Sequence, residues 1–263
     1  MAEQEQRNLD LSVWEARSLR LTVFTSVPVE ASTQPWWADL VGKLPEREVT
    51  LPRQASHTVE GPVDLTETVK GKLALRVEPV RVDWTFAPAD GEADEPRQTP
   101  TLGSFSEAAR EFMKLVSRWL TRTDIPDMNR MAFGAALIQH LPDRETGYRK
   151  MAEYLKPSVE VDEKSSDLTY TINRPRPSQC GMQDMQVNRL SKWLVAIRRT
   201  MLVTSNEIPP ALLRGTPYFD LCLDLDINSS AEFQGVIPVD KRGALLNEFV
   251  DLAEEIAVRG DVK

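Results

Sequence analysis

Leu73-Ala74-Leu75-Arg76-Val77-Glu78-Pro79-Val80-Arg81-Val82-Asp83-Trp84-Thr85-Phe86 is the stretch on which the fold assignment turns. Leu73, Leu75 and Val77 recur at every second position, and Val80, Val82, Trp84 and Phe86 do so again beyond the proline. A period of two in β-branched, aliphatic and aromatic residues marks a half-buried strand. Pro79 has no N–H to donate to a ladder, so the reading is one long strand with a bulge or an edge at that proline.

Toward the N-terminus, Leu19-Arg20-Leu21-Thr22-Val23-Phe24 alternates in the same way and predicts a first strand. Ser32 or Thr33 can cap a short helix with Pro35 in its first turn. Trp36, Trp37, Leu40, Val41 and Leu44 form its apolar side, and Pro45 closes it. A weaker strand follows over 48–59, interrupted by Pro52. Toward the C-terminus, residues 87–103 are acid- and proline-rich and predict an exposed loop. Ser104-Phe105-Ser106-Glu107 then reads as a capping box opening a helix whose apolar face is Phe105, Ala108, Phe112, Leu115, Val116 and Trp119. Met131 to Leu141 is a strand with small residues at its centre. The order is βαββαβ, the ferredoxin-like split arrangement, in which a mainly antiparallel sheet carries its helices on one face. The fold class is α+β.

The remainder repeats the style without repeating the sequence. Asp143 can cap a helix carrying Tyr148, Met151 and Leu155, Leu168 to Asn173 is a strand, and Leu190 to Thr204 reads as a long strand or a helix. Tyr218 to Asn228 alternates strictly, and Asp240 can cap a last helix with Leu245, Phe249, Leu252 and Ile256 in one stripe. Residues 1–14 are expected to be a flexible tail. Residues 15–141 form one α+β half and 142–263 a second, which can share one sheet with the first.

The 263 residues carry a net charge of −8 and a pI near 5.0, which argues against a chain whose main work is gripping nucleic-acid phosphates. The opening residues lack the apolar run of a secretory signal, and no stretch of about 18 apolar residues offers a membrane span. With only Cys180 and Cys222, the expectation is a soluble cytoplasmic protein with free thiols and no membrane partner. No phosphate loop, nucleophile elbow, dinucleotide fingerprint or zinc spacing is present, so no cofactor and no metal are expected. His57 and His140 have no ligand-spaced partners and read as structural residues.

Three constellations remain. Strand alternation puts Asp220, Asp224 and Asp226 on one face and Leu221, Leu223, Leu225 and Ile227 on the other. Carboxylates so spaced can hold Mg²⁺ in a phosphoryl- or nucleotidyl-transfer enzyme. The plainer reading is a strand whose like charges are relieved by cross-strand Lys192, Arg198 and Arg199. Arg174, Arg176, Arg189, Lys192, Arg198 and Arg199 form a cationic group that can bind an anion, a nucleic acid or an acidic partner, or can neutralise the aspartates. Trp36 and Trp37 diverge by about 100° on a helix, which allows one to enter the core while the other meets a partner at the rim.

The landmarks Trp37 to Pro45, Val82-Asp83-Trp84, the Phe105–Trp119 helix, the Arg130–Leu141 strand and Leu223-Asp224-Leu225-Asp226 resemble those of a sporadically distributed family of functionally uncharacterised bacterial proteins. The aromatic-rich segment that resemblance implies near the fourth strand is replaced by Phe133-Gly134-Ala135. The resemblance implies an α+β fold, transfers no catalytic residue, and is compatible with mobile or defence-linked genes. The expected function is a non-enzymatic protein-interaction or accessory component of a bacterial assembly, self-association included. The alternatives are the metal-dependent transferase using the Asp224/Asp226 strand and nucleic-acid binding through 174–199.

Overall fold

Alternating apolar residues are satisfied when strands pair side by side and present one face to a common core, and here they all pair into a single sheet. The computed structural model describes residues 10–29, 34–89, 98–155, 161–162, 166–198 and 217–261. Their elements are β1 (Glu15–Thr25), α1 (Gln34–Val41), β2 (Arg47–Leu51), β3 (Ser56–Asp64), β4 (Lys70–Glu78), β5 (Arg81–Ala87), α2 (Phe105–Leu120), β6 (Met128–Leu141), α3 (Arg144–Leu155), β7 (Thr169–Asn173), β8 (Arg176–Pro177), β9 (Gln186–Arg198), β10 (Tyr218–Ser229) and α4 (Val239–Arg259). The ten strands form one sheet in the order β2-β3-β4-β5-β1-β6-β10-β9-β7, with β8 also on β9, and every pairing is antiparallel. The fold is mixed α+β.

This order is a palindrome about the β1–β6 pair. Outward from β1 lie β5, β4 and β3; outward from β6 lie β10, β9 and β7. Each half runs strand, helix, strands, helix along the chain, so β6 is the counterpart of β1 and opens the second half. Strands from both sides of the expected 141/142 boundary share this one sheet.

The ferredoxin-like order does not emerge, for a specific reason. Both prolines read as interruptions within strands are turns between strands. Glu78 pairs Arg81 and Val77 pairs Val82, so Pro79–Val80 is a two-residue hairpin turn. Neither residue takes a positive φ, which is why the usual Asn-Gly signal is missing. Pro52 opens a 3₁₀ turn that ends on Ala55 in the left-handed region, φ 46°, separating β2 from β3. Two expected strands thus become four.

Helix-facing residues meet in rows across the sheet, one of which runs Leu75, Trp84, Leu21, Phe133 and Ile227. The helices close over these rows: Trp37 stacks on Trp84 at 6.3 Å, Phe86 on Phe112 at 6.4 Å, and Tyr154 lies 5.0 Å from Trp193. Trp36 packs edge-on against Trp119. Its indole donates to Asp124 Oδ2 at 3.0 Å, and Arg122 bridges Asp124 and Asp39. Arg122, and then Trp36, hold the Asp124 carboxyl down at about 2. That contribution to α1 docking is complete above 3.8 and disappears as pH falls through about 2. Arg242 is buried and reaches the Leu120 carbonyl, placing a cation at the C-terminal end of α2 where the helix dipole favours it.

Several local expectations are corrected. Trp36 and Trp37 are 3% and 0% exposed, so neither is presented to a partner. Residues 10–14 of the expected tail are fixed: Asp10 caps a 3₁₀ turn over Leu11–Val13, and buried Trp14 donates to the Ala257 carbonyl at 2.8 Å. Residues 1–9, Ser32 and Thr33, 90–97 and 199–216 lie outside the described residues. The end of the acid-rich loop is packed, with Thr99 and Leu102 buried. Ser104 stands at the N-cap of α2 without a side-chain cap bond, and Glu107 instead accepts from Thr68. Pro238 takes the N-cap of α4, with Asp240 inside its first turn. Asp143 does cap α3, accepting from the Thr146 N–H at 2.7 Å. Among the described residues no helix is long and apolar enough to cross a membrane.

Because Trp37 fills the junction of α1 with β5, Trp37→Ala is expected to cost about 3–5 kcal/mol in urea unfolding. A loss below about 1 kcal/mol would show that α1 is not seated on the sheet.

Candidate functional site

The second face of the sheet carries no helix among the described residues, and the late-strand acids lie on it. Alternation in β10 turns Asp220, Cys222, Asp224, Asp226 and Asn228 to this side. In register they stand opposite His140, Ile138, Ala136, Gly134 and Ala132 of β6, and opposite Ala196, Leu194, Lys192, Leu190 and Asn188 of β9.

The small residues of β6 matter for geometry. Gly134 sits between Arg20 of β1 and Asp226 of β10 in one row. A Cβ built there would lie 3.2 Å from Arg20 Nη2, so the bare strand lets the guanidinium cross it. Arg20 reaches Asp226 Oδ2 at 3.6 Å. Asp226 in turn accepts from Asn228 Nδ2 at 2.9 Å. Asp224 is exposed and faces Lys192 directly across the ladder.

Asp220 is the buried member, at 0% exposure. Its Oδ1 meets His140 Nδ1 at 2.8 Å, and its Oδ2 takes Arg198 Nε at 3.2 Å and the Thr99 hydroxyl. An acceptor-only carboxylate at Nδ1 puts the imidazole proton on that nitrogen. His140 Nε2 then points to Glu15 Oε2 at 3.8 Å, a carboxylate that also accepts the Thr101 hydroxyl. Two threonines of the segment leading into α2 are thereby fastened to two carboxylates bridged by one histidine. The arrangement resembles the orienting half of an acid–base dyad, but Nε2 is turned to a carboxylate and the loop. Cys222, two residues on, is buried, and burial first, and then Asp220, push its thiol up to about 11. Sequence spacing leaves His140 without a partner, because its pairing with Asp220 depends on the β6–β10 register.

The cationic group does not form one face. Alternation in β9 sends Arg189 to the helix side and Lys192 and Arg198 to the open side. Arg189, Arg176 and Arg259 converge on Glu255 of α4 at 3.7, 3.5 and 3.3 Å, and burial lowers the Arg189 pKa. Arg174 clasps Asp261 through Nε and Nη2 at 2.9 and 2.8 Å. Three of the six cations therefore dock the end of α4, and Arg199 lies outside the described residues. His57 is buried between Thr50 and Glu48. Cys180 accepts from Ser178, and both cysteines are free. Among the described residues no three of His, Cys, Asp or Glu form a group able to hold a metal ion.

Compared with known proteins, the chain matches no family model, no curated protein and no solved structure.

Removing the Asp220 carboxylate leaves Arg198 and His140 facing a void without their anion. Asp220→Ala is expected to cost about 3 kcal/mol in denaturant titration and to expose residues 98–103 to protease. Asp224→Ala, on the same strand but solvated, is expected to stay within about 0.5 kcal/mol. Equal effects of the two would show that the buried network does not hold the loop.

Proposed function

We propose that the chain is a non-enzymatic interaction component, in keeping with an accessory role in a bacterial assembly, and that its working surface is the open sheet face. The observation that carries this reading is the cross-strand engagement of the late-strand acids. Asp220 is bound by Arg198 and His140, Asp226 by Arg20, and Asp224 stands opposite Lys192. Asp220 and Asp226 would have to surrender those partners to bind Mg²⁺, which weakens the transferase alternative.

Charge supports a protein as the occupant. The face mixes signs, with Arg20, Arg76, Arg81, Lys192 and Arg198 among Glu78, Asp83, Asp220, Asp224 and Asp226. A surface of that kind suits a protein presenting both charges rather than the uniform anion of a nucleic-acid backbone.

The reading is tested by placing a photo-crosslinking residue at Thr85 or Lys192 on the open face and, separately, at Lys114 on the exposed side of α2. In extract of the source cells the sheet positions are expected to give one discrete protein adduct. The Lys114 position should give none. The adduct is expected to fade as salt rises, since screening weakens exposed charges, and to vanish in Arg76→Glu/Lys192→Glu. Adducts of equal yield from both sides of the molecule, or indifference to the charge reversal, would sink the proposal.

A further inference from the structure

We infer that the cleft beside Arg130, at the end of the open face where β1, the β4–β5 turn and the segment after β10 meet, is a binding site for a small carboxylate carrying an apolar or aromatic body. The inference does not depend on the interaction reading above.

Of the four described arginines on this part of the face, Arg20, Arg76, Arg81 and Arg130, the first three pair with carboxylates. Arg81 is tied to Asp83 at 2.7 Å, Arg76 to Glu78 at 2.6 Å, and Arg20 to Asp226. Arg130 meets only neutral acceptors, donating from Nε to the Ser229 carbonyl at 3.1 Å and from Nη2 to Asn228 Oδ1 at 2.9 Å. Among the described residues no carboxylate lies within ion-pair distance of it. These two bonds fix the guanidinium plane and occupy its Nε side. The end-on pair, one hydrogen of Nη1 and the second of Nη2, stays available, and its spacing matches the two oxygens of a carboxylate.

The surroundings are built to hold that plane. Phe24 lies between two cations, with its ring centroid 5.3 Å from the Arg130 guanidinium carbon and 5.7 Å from that of Arg81. Asn228 Oδ1 is held in turn by Asn188 at 3.1 Å. The cleft is an open depression of about 320 Å³ lined by Phe24, Val80, Asn129, Arg130, Phe233 and Gln234 among others. Val80 is 48% exposed, a large aliphatic surface left in water beside an unmatched cation. Phenyl-sized apolar walls with one fixed donor pair are the usual make-up of a small-ligand site. Desolvating Arg130 against these rings strengthens its bond to an anion. In a chain of net charge −8, an arginine without a local acid is a specific feature.

The probe is 4-fluorophenylacetate, followed by fluorine NMR on the full chain. Saturable line broadening is expected with the acid and not with its neutral amide. Arg130→Gln should weaken binding about tenfold or more, while Arg110→Gln, whose partner is Glu111 on α2, should leave it unchanged. Phe233→Ala removes a wall without touching the charge and should also weaken binding, which keeps the test informative if Arg130→Gln does not fold. No saturable broadening, equal binding of the amide, or unchanged affinity in both cleft variants would overturn the site. Displacement of the probe by an acetylated peptide ending in a free phenylalanine carboxylate supports the site with a protein C-terminus as its source. Displacement by unlabelled phenylacetate alone supports it with a free small molecule.

Discussion

The pairing of β1 with β6 is the contact on which the remainder depends. It joins two halves that would each expose a sheet edge if separated, and it does so over ten register pairs. On the helix side it sets Leu19 beside Ala135 and Leu21 beside Phe133, so the rows of core residues continue from β4 through β10 without a break. On the open side it sets Arg20 beside Gly134, and the missing side chain lets a cation of the first half reach an acid of the second. One ladder therefore fixes both the common core and the electrostatics of the exposed face. A one-residue slip would turn Arg20 into the aromatic core and Leu21 into water.

Much of this was legible, and the failures have physical causes. Helix α2 was plain from the spacing of Phe105, Phe112 and Trp119, and β10 from its strict alternation. Parity alone also separates Arg189 from Lys192 and Arg198 once β9 is taken as a strand, although the six cations looked like one cluster along the chain. What periodicity could not show was the count of strands. Pro79–Val80 and Pro52–Gln54 turn the chain without glycine or asparagine, so a hairpin and an interrupted strand look alike until the register is known. Nor could it show that Trp36 and Trp37 both go inward. The 100° between them is absorbed because Trp119 of α2 and Trp84 of β5 offer two separate aromatic surfaces. The candidate site was half visible: Asp220 stood out, and His140, Glu15, Thr99 and Thr101 joined it only through tertiary pairing.

The internal palindrome has a consequence for where function can reside. Equivalent strands of the two halves share positions in the sheet but not residues: β5 places Asp83 on the open face between Thr22 and Arg81, whereas β10 places three aspartates there. Backbone duplication with side-chain divergence is what a scaffold allows when the core tolerates any apolar residue of suitable volume and the outer face is free to change.

Ion pairs across strands bear on the interaction reading proposed above. Ion pairs that cross strands, such as Arg20–Asp226 and Arg198–Asp220, hold long side chains in one rotamer before any partner arrives, so less side-chain entropy is lost on docking. A partner that offers both signs can meet these groups at the rim without stripping them from each other, whereas a metal ion or a uniform polyanion must break several pairs at once. The clasp of Thr99 and Thr101 onto Asp220 and Glu15 limits the face at one end, and the Arg130 cleft limits it at the other. Between them the face carries charges of both signs in register over a continuous core, which is the arrangement that the interaction reading proposed above requires.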